Sequence, residues 1–385
     1  MNIRVIAVPL LLVGVLQLSG CVPGSARVSP GGTYLSTSAG AHFDQSVKME
    51  DPEKNIAGFT LGNAFRVPEK TATIYIAAAN RGLVVSDDNG VTWRTIAVPL
   101  AQTLDVVVMG NGIIAVSGRD ADGQGFILRS LDAGKSWDSV LTVPIPISNG
   151  TFQILSEEVV GSVVLSLERD PFDANRLYAG SSLGTILVGE QSAKVWKTLY
   201  NLRSVTTELL DSEQTLGIQQ LLPSPHRAGE LLLVTVTGSL LRIRDGKQSE
   251  VRIPQFVEEQ AETPFTDSLG QRKVLDVTFI PGFPQALLVA TTVGPVVTRN
   301  DGQKWSELNL PIDASRAFNR AVVAVSPTNS NRLLIAINNV VYRSEDSGQT
   351  WNTFDFGLDG YLVTDILIDP SNAGQVLAIL RAPNS

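Results

Sequence analysis

All five tryptophans of the chain close copies of one eight-residue phrase, and that regularity constrains the fold more than any other property of the sequence. Four copies align without gaps, running from Ser86 to Trp93, Ser130 to Trp137, Thr298 to Trp305 and Ser344 to Trp351. Their shared pattern is S/T-x-D/N-x-G-x-(T/S/K)-W. It places Asp88, Asp132, Asn300 and Asp346 third and Gly90, Gly134, Gly302 and Gly348 fifth. A fifth, eroded copy from Gly189 to Trp196 keeps the indole and loses the acid and the glycine. Each intact copy follows a short, mostly β-branched run such as Leu83-Val84-Val85 or Val340-Val341-Tyr342, which suits a strand. The third-position side chain can accept turn N–H groups, and the glycine supplies a backbone conformation other residues resist. The phrase therefore reads as strand, tight turn, strand, with the indole buried in the second strand.

Spacing sets the number of units. Trp93, Trp137, Trp196, Trp305 and Trp351 stand 44, 59, 109 and 46 residues apart, so the long interval holds two units. The hidden one is expected at Glu230–Gly246, where Leu231-Leu232-Leu233-Val234 and Leu240-Leu241-Arg242-Ile243 read as two strands without the phrase between them. A second recurring phrase precedes several copies: Asp170-Pro171 before Leu177, Ser224-Pro225 before Leu231, Ser326-Pro327 before Leu333 and Asp369-Pro370 before Val376. Each is a proline turn between two apolar strands, so a unit has four short strands. A period near 50 residues of this kind predicts an all-β propeller of four-stranded blades; seven blades are favoured and six is the alternative. The last unit, residues 362–380, has two strands only. Such a sheet is unstable alone, and N-terminal strands are expected to complete it by closing the ring.

The N-terminus carries an address. Arg4 precedes an apolar stretch from Val5 to Leu18, interrupted by Pro9 and Gln17, and Ser19-Gly20-Cys21 follows. That is the layout of a secretory signal with a small-residue cleavage site. Leu18-Ser19-Gly20-Cys21 resembles the lipobox of bacterial lipoproteins, which implies acylation of Cys21, removal of residues 1–20 and a place in the bacterial cell envelope, facing the periplasm or the exterior. The acyl chains, at about 0.8 kcal/mol per buried CH₂, would hold the protein on a membrane. Residues 21–58, rich in Gly, Ser and Pro, read at least in their first part as a flexible tether, with 59–385 as the propeller.

The tryptophan phrase itself resembles the Asp-box, or bacterial neuraminidase, repeat of sialidases, sortilin-type receptors, xyloglucanases and photosystem assembly factors. The resemblance covers about residues 60–385 and implies a propeller with the phrase on its periphery, away from the central face. It is poor evidence for activity, since the fold carries enzymes and binding modules alike. A sialidase would use an arginine in a Phe/Tyr-Arg-Ile-Pro motif, and Phe65-Arg66-Val67-Pro68 is the counterpart here. The acidic loop that should follow is reduced to Ala79-Asn80-Arg81-Gly82, and Arg66 reads instead as a solvent-facing strand residue. Tyr342 runs straight into a turn and reads as packing. A glycanase needs two acids about 5–10 Å apart in an aromatic cleft. Aromatics are only 6% of the chain and every tryptophan is committed to a turn.

Other chemistries find little support. A net charge of −8 leaves no excess of cations to neutralise phosphates, so nucleic acid is not an expected partner. One cysteine and two histidines, His42 in the tether and His226 in a proline turn, exclude multi-ligand zinc sites. Asp120-Ala121-Asp122-Gly123 opens like a calcium loop but lacks the later ligands, and reads as a hairpin turn. No metal and no cofactor is expected. Residues 198–216 and 256–272 lengthen the connections around the hidden unit and are candidate recognition loops. The expected function is a non-catalytic, lipid-anchored scaffold for a protein or envelope polymer. A membrane-anchored glycoside hydrolase is the alternative.

Overall fold

The computed structural model describes residues 29–143, 162–202, 217–253, 272–312, 318 and 320–382. They form seven four-stranded antiparallel sheets arranged as the blades of a propeller. Blades 1 to 6 follow the chain, over residues 61–96, 102–143, 164–201, 218–250, 274–307 and 321–355. Blade 3 contains the eroded copy. Blade 4 is the hidden unit, where Leu231–Thr235 and Leu240–Arg244 are its middle strands. In place of the tryptophan phrase, blade 4 has a tight hairpin at Asp245-Gly246 in which Arg244 pairs with Lys247.

Blade 7 closes the ring. Its inner strands Leu362–Ile368 and Val376–Arg381 come from the C-terminal end, and its outer strands Gly32–Ser36 and Asp44–Gln45 come from the N-terminal end. Gly32 pairs with Leu380 and Ser36 with Val376. The stretch read as a tether over residues 21–58 is therefore divided. From Gly32 onward it belongs to the propeller, because Gly32–Ser36 pairs along Val376–Arg381 and covers an edge that would otherwise be open. Ser46 still bonds Thr33 of blade 7, and residues 47–59 continue along blade 1, where Ile56 is buried and Met49 bridges to Trp93. His42, placed in the tether by sequence, lies in blade 7 beside Asp44 and edge-on to Phe354.

Burial follows the ring. The second strands are buried on both faces, as in Ile74–Ala78, Leu177–Ser181, Leu231–Thr235 and Leu287–Thr291. Each junction between neighbouring blades holds one apolar cluster, giving seven clusters for seven junctions among the described residues. The core is thus a wheel of wedges, and no blade has an interior of its own. The antiparallel order puts the proline turns and tryptophan turns on one face. The connections between blades return on the other.

Candidate functional site

The tryptophan turns act as staples between blades. Ser86 Oγ donates to Asp88 Oδ1 at 2.8 Å and accepts from the Gly90 N–H at 2.7 Å. Asp88 Oδ1 accepts the N–H groups of Val91 and Thr92, and Oδ2 accepts the Thr92 hydroxyl. The turns at Ser130–Trp137 and Ser344–Trp351 repeat this pattern, with Asp132 and Asp346 accepting from Ser136 and Thr350. Thr298 and Asn300 make the same backbone bonds with an amide in place of the acid, and Lys304 brings no hydroxyl to it. Asp132 and Asp346 are held down at about 2, first by the hydroxyl of the residue four positions on. Gly134 sits at φ 86°, and a Cβ there would meet Ile96 of the preceding blade at 2.4 Å, so only glycine lets the turn press so closely.

The indoles cross to the preceding blade. Trp93 Nε1 donates to the Ser46 carbonyl at 2.9 Å, Trp137 to Ala97 at 2.9 Å and Trp305 to Arg252 at 3.0 Å. Trp351 packs on the cluster between blades 5 and 6. Trp196 behaves differently. Gln191, Ser192 and Ala193 all take left-handed φ values, and its indole donates back to Ala193 within its own turn.

Arg66 lies under the first of these turns. Its side chain is 8% exposed, and it donates to Asn89 Oδ1 at 2.6 Å and to the Thr71 carbonyl, with the Asp369 carboxylate 3.9 Å away. The solvent-facing reading is corrected: the last residue of an inner strand here ends beneath a turn that needs a donor. Arg66 is committed to the tryptophan-turn face and does not reach the axis. Tyr342 is buried between blades 5 and 6. His226 packs edge-on to Phe279 at 6.2 Å. Asp120 Oδ1 accepts the Asp122 and Gln124 N–H groups and closes a hairpin. Among the described residues no three His, Cys, Asp or Glu side chains converge as metal ligands. Cys21, residues 203–216 and residues 256–271 lie outside the described residues.

A cavity of about 460 Å³ lies on the axis among the described residues, lined by the inner strands, and a second of about 570 Å³ lies beside blade 1 between Met49, Phe59, Arg81 and Val98. Six of the seven inner strands carry a β-bulge near their start, and only Ala321–Ser326 pairs without an irregularity there. The bulge leaves an extra residue unpaired. Leu104, Leu165, Gln219, Leu275 and Thr364 are these residues in five blades, Gly62 takes the corresponding place in blade 1, and all six line the axial cavity. The next position forms a belt with one residue per blade: Asn63, Asp105, Ser166, Gln220, Asp276, Val322 and Asp365.

The belt stitches blade to blade. Asp365 Oδ2 accepts the Ala64 N–H at 3.1 Å, and Asn63 bonds Asp105. Asp105 Oδ2 accepts Leu167 N–H at 2.7 Å, and Ser166 Oγ accepts Leu221 N–H at 3.1 Å. Gln220 Nε2 donates to Asp276 at 2.7 Å, and Asp276 Oδ2 accepts Val323 N–H at 2.8 Å. Val322 cannot take part, and Arg320 bridges its gap by donating to the Thr364 carbonyl at 2.8 Å. The three aspartates also each accept the N–H of their own successor. Burial pushes Asp105 up to about 7 despite these bonds, and the Asp365 charge adds to the rise. Asp365 is pushed up to about 6 by burial, with Asp276 adding. Asp276 is raised by burial too, with Arg320 opposing. Glu168, deeper on the same axis, stands well above the usual carboxylate range through burial and the charges of Asp105 and Asp365.

The belt was missed in the sequence. Its signal was faint: Leu104-Asp105-Val106, Leu275-Asp276-Val277 and Thr364-Asp365-Ile366 each head an apolar strand, and the other blades use Asn, Ser, Gln or Val instead.

Solved structures resemble this chain as a fold. YCF48 from Cyanidioschyzon merolae superposes with a TM-score of 0.60 at 15% identity, over 83% of this chain and 95% of that one. YCF48 bound to D1 peptide gives 0.54 at 18%, over 88% and 99%. The GH74 xyloglucanase from Xanthomonas campestris gives 0.56 at 17%, over 91% of this chain, which spans 56% of that enzyme. Neither a family model nor a curated protein sequence matches. The chain is a seven-bladed β-propeller whose neighbours in structure include YCF48, in one case bound to D1 peptide, and a GH74 xyloglucanase.

Proposed function

We propose that this chain is an Asp-box-type propeller tethered through acylated Cys21 to a membrane of the bacterial cell envelope, where it acts as a non-catalytic binding or assembly scaffold for a protein or an envelope polymer. The observation that carries the non-catalytic reading is the belt. Asp105, Asp276 and Asp365, the acids that an enzyme would place at the axis, spend both oxygens on backbone N–H groups of their own and the next blade. A carboxylate so engaged has little capacity left to act as nucleophile or proton carrier. Arg66, the other candidate for gripping a substrate acid, is locked away from the axis. Likeness to a propeller recorded with a bound D1 peptide supports a protein ligand.

The alternative, an anchored glycoside hydrolase, is favoured by Glu168 alone. It is an axial carboxyl whose pKa burial and the charges of Asp105 and Asp365 raise well above the ordinary range, the direction that suits a general acid. Two experiments separate the readings. Labelling of cells with a radioactive fatty acid should mark the wild-type chain and leave Cys21→Ala unmarked; an unmarked wild type overturns the anchor. In-cell crosslinking followed by capture should recover a defined partner. Hydrolysis of xyloglucan or a sialoside by the purified chain, abolished in Glu168→Gln, would replace the scaffold reading with the hydrolase.

A further inference from the structure

The pocket beside blade 1 has the reverse chemistry of the axial one. The axis gathers acids, whereas the charged residues lining this pocket are Lys54 and Arg81, with no acid among them. In a chain of net charge −8, a concave place walled by one positive sign favours anions. Arg81 has capacity to spare. It stands in the tight turn between the second and third strands of blade 1, with its guanidinium over the Phe59 ring, Cζ 5.3 Å from the centroid. That contact engages the ring face, and the guanidinium donors have no acceptor among the described residues. Lys54 shares its ammonium with Asp51 at 2.8 Å and keeps donors over.

A lone surface arginine would say little, but this one borders an apolar wall. Met49, Phe59, Val98 and Leu100 line the pocket, all half-buried. The wall is built tightly: a Cβ on Gly82 would collide with the Ile96 carbonyl and the Val98 nitrogen, so glycine lets the connection to blade 2 press against the turn of Arg81. At about 570 Å³ the space falls within the ~300–1,000 Å³ range of small-ligand sites. Cations beside apolar surface suit a ligand with an anionic head and an apolar body.

Position narrows that ligand. Gly32 pairs with Leu380, near the end of the last strand away from its proline turn, so the chain enters blade 7 from the face that carries the connections between blades. The turn of Arg81 and the connection through Val98 and Leu100 lie on the same face. The entry also adjoins the segment that lines the pocket. A Cβ on Gly31 would stand 2.9 Å from the Ala57 carbonyl, and Asn55 Oδ1 accepts the Ala57 N–H at 3.1 Å, with Asn55 and Phe59 both in the lining. Cys21 precedes Ser29 by eight residues, a span of at most about 30 Å. On the reading of an acylated Cys21, on which this step rests, the pocket is kept within reach of the bilayer surface.

We infer that the pocket beside blade 1 binds an anionic phospholipid of that membrane, its phosphate received by Arg81 and Lys54 and its first methylenes lying along Met49, Phe59, Val98 and Leu100. A guanidinium meets two phosphate oxygens at once, and anionic leaflets draw cations to their surface. Isothermal titration of the full chain carrying Cys21→Ala, which has no acyl group of its own, tests this with three probes kept below aggregation. They are dihexanoyl phosphatidylglycerol, dihexanoyl phosphatidylcholine and glycerol phosphate. Saturable binding of the phosphatidylglycerol, at least tenfold tighter than of either other probe, supports the site. Arg81→Gln, in an exposed turn, should weaken that binding at least tenfold, and Leu100→Ser should weaken it severalfold. Equal binding of glycerol phosphate would leave a bare anion subsite, and equal binding of phosphatidylcholine would remove the selection by charge. Either overturns the inference, as does no binding at all or unchanged affinity in Arg81→Gln. The probes are free in solution, so titration reads the pocket while fatty-acid labelling reads the anchor. An unlabelled Cys21 with titration intact removes the anchor and keeps the site.

Discussion

The same side chain does the same local task at two radii of this ring, with opposite electrostatic results. At the rim, Asp132 accepts N–H and hydroxyl groups in the open, and those bonds hold it at about 2. At the axis, Asp105 accepts two N–H groups, yet at 4% exposure the loss of water outweighs them and it rises to about 7. Hydrogen bonds to a carboxylate favour its charge at both radii, and burial decides whether desolvation outweighs them. The rim carboxylate shapes a turn whose adhesion comes from the indole. The axial carboxylate is itself the adhesive, because its second oxygen reaches the next blade.

If the rim draws its strength from the indole, removing Trp93 should be the largest single loss. Trp93 is fully buried between blades 7 and 1, and Trp93→Ala should cost about 3–5 kcal/mol in urea unfolding. Trp196, half-buried and bonded to its own turn, should cost about half as much or less; equal losses would break the distinction between crossing and self-bonded indoles. At the axis, Asp105→Ala orphans the buried N–H groups of Val106 and Leu167 and should cost about 2–4 kcal/mol. Asp88→Ala at the rim leaves N–H groups that water can reach and should cost about 1 kcal/mol.

The two radii also predict opposite pH slopes. From about pH 4 the unfolded chain releases the protons of Asp105 and Asp365, while the folded ring keeps them until about 7 and about 6. Their contribution is therefore greatest below pH 4 and is lost as pH rises through the folded values. Asp132 and Asp346 act in reverse: their contribution is present above pH 4 and lost as pH falls through about 2. The melting temperature should fall by several degrees from pH 5 to pH 8, and Asp105→Asn should flatten that slope. A profile that rises over this window would erase the contrast. The smallest effect is expected of Asp88→Asn, within about 0.5 kcal/mol, because Asn300 already performs the same role in blade 5.

Much of the rim was legible and almost none of the axis. An indole is rare and bulky, so its recurrence stands out. Trp93 to Trp351 fixed the period, and the decayed blade 4 could be placed from the length of one gap. The two-stranded remainder at 362–380 pointed to closure, and Gly32–Ser36 supplies it. The belt offered no such signal. A stitch needs only an acceptor or a donor of the right reach, so Asn63, Ser166 and Gln220 serve beside Asp105, and Val322 is tolerated once Arg320 compensates. The bulge that aims each side chain is a feature of pairing, invisible until two strands are set side by side. The same limit explains Arg66, whose burial depends on a turn 23 residues further on.

The seam in blade 7 sets a timetable for biosynthesis. Ser36 and its mate Val376 are 340 residues apart, so the earlier strand stays single until the later one arrives. A nascent chain halted anywhere short of Val376 would present a bare β-edge at its beginning and an unsealed wedge at its end. Both invite pairing with a neighbour, which makes late termination of synthesis the costliest error for a wheel of this design.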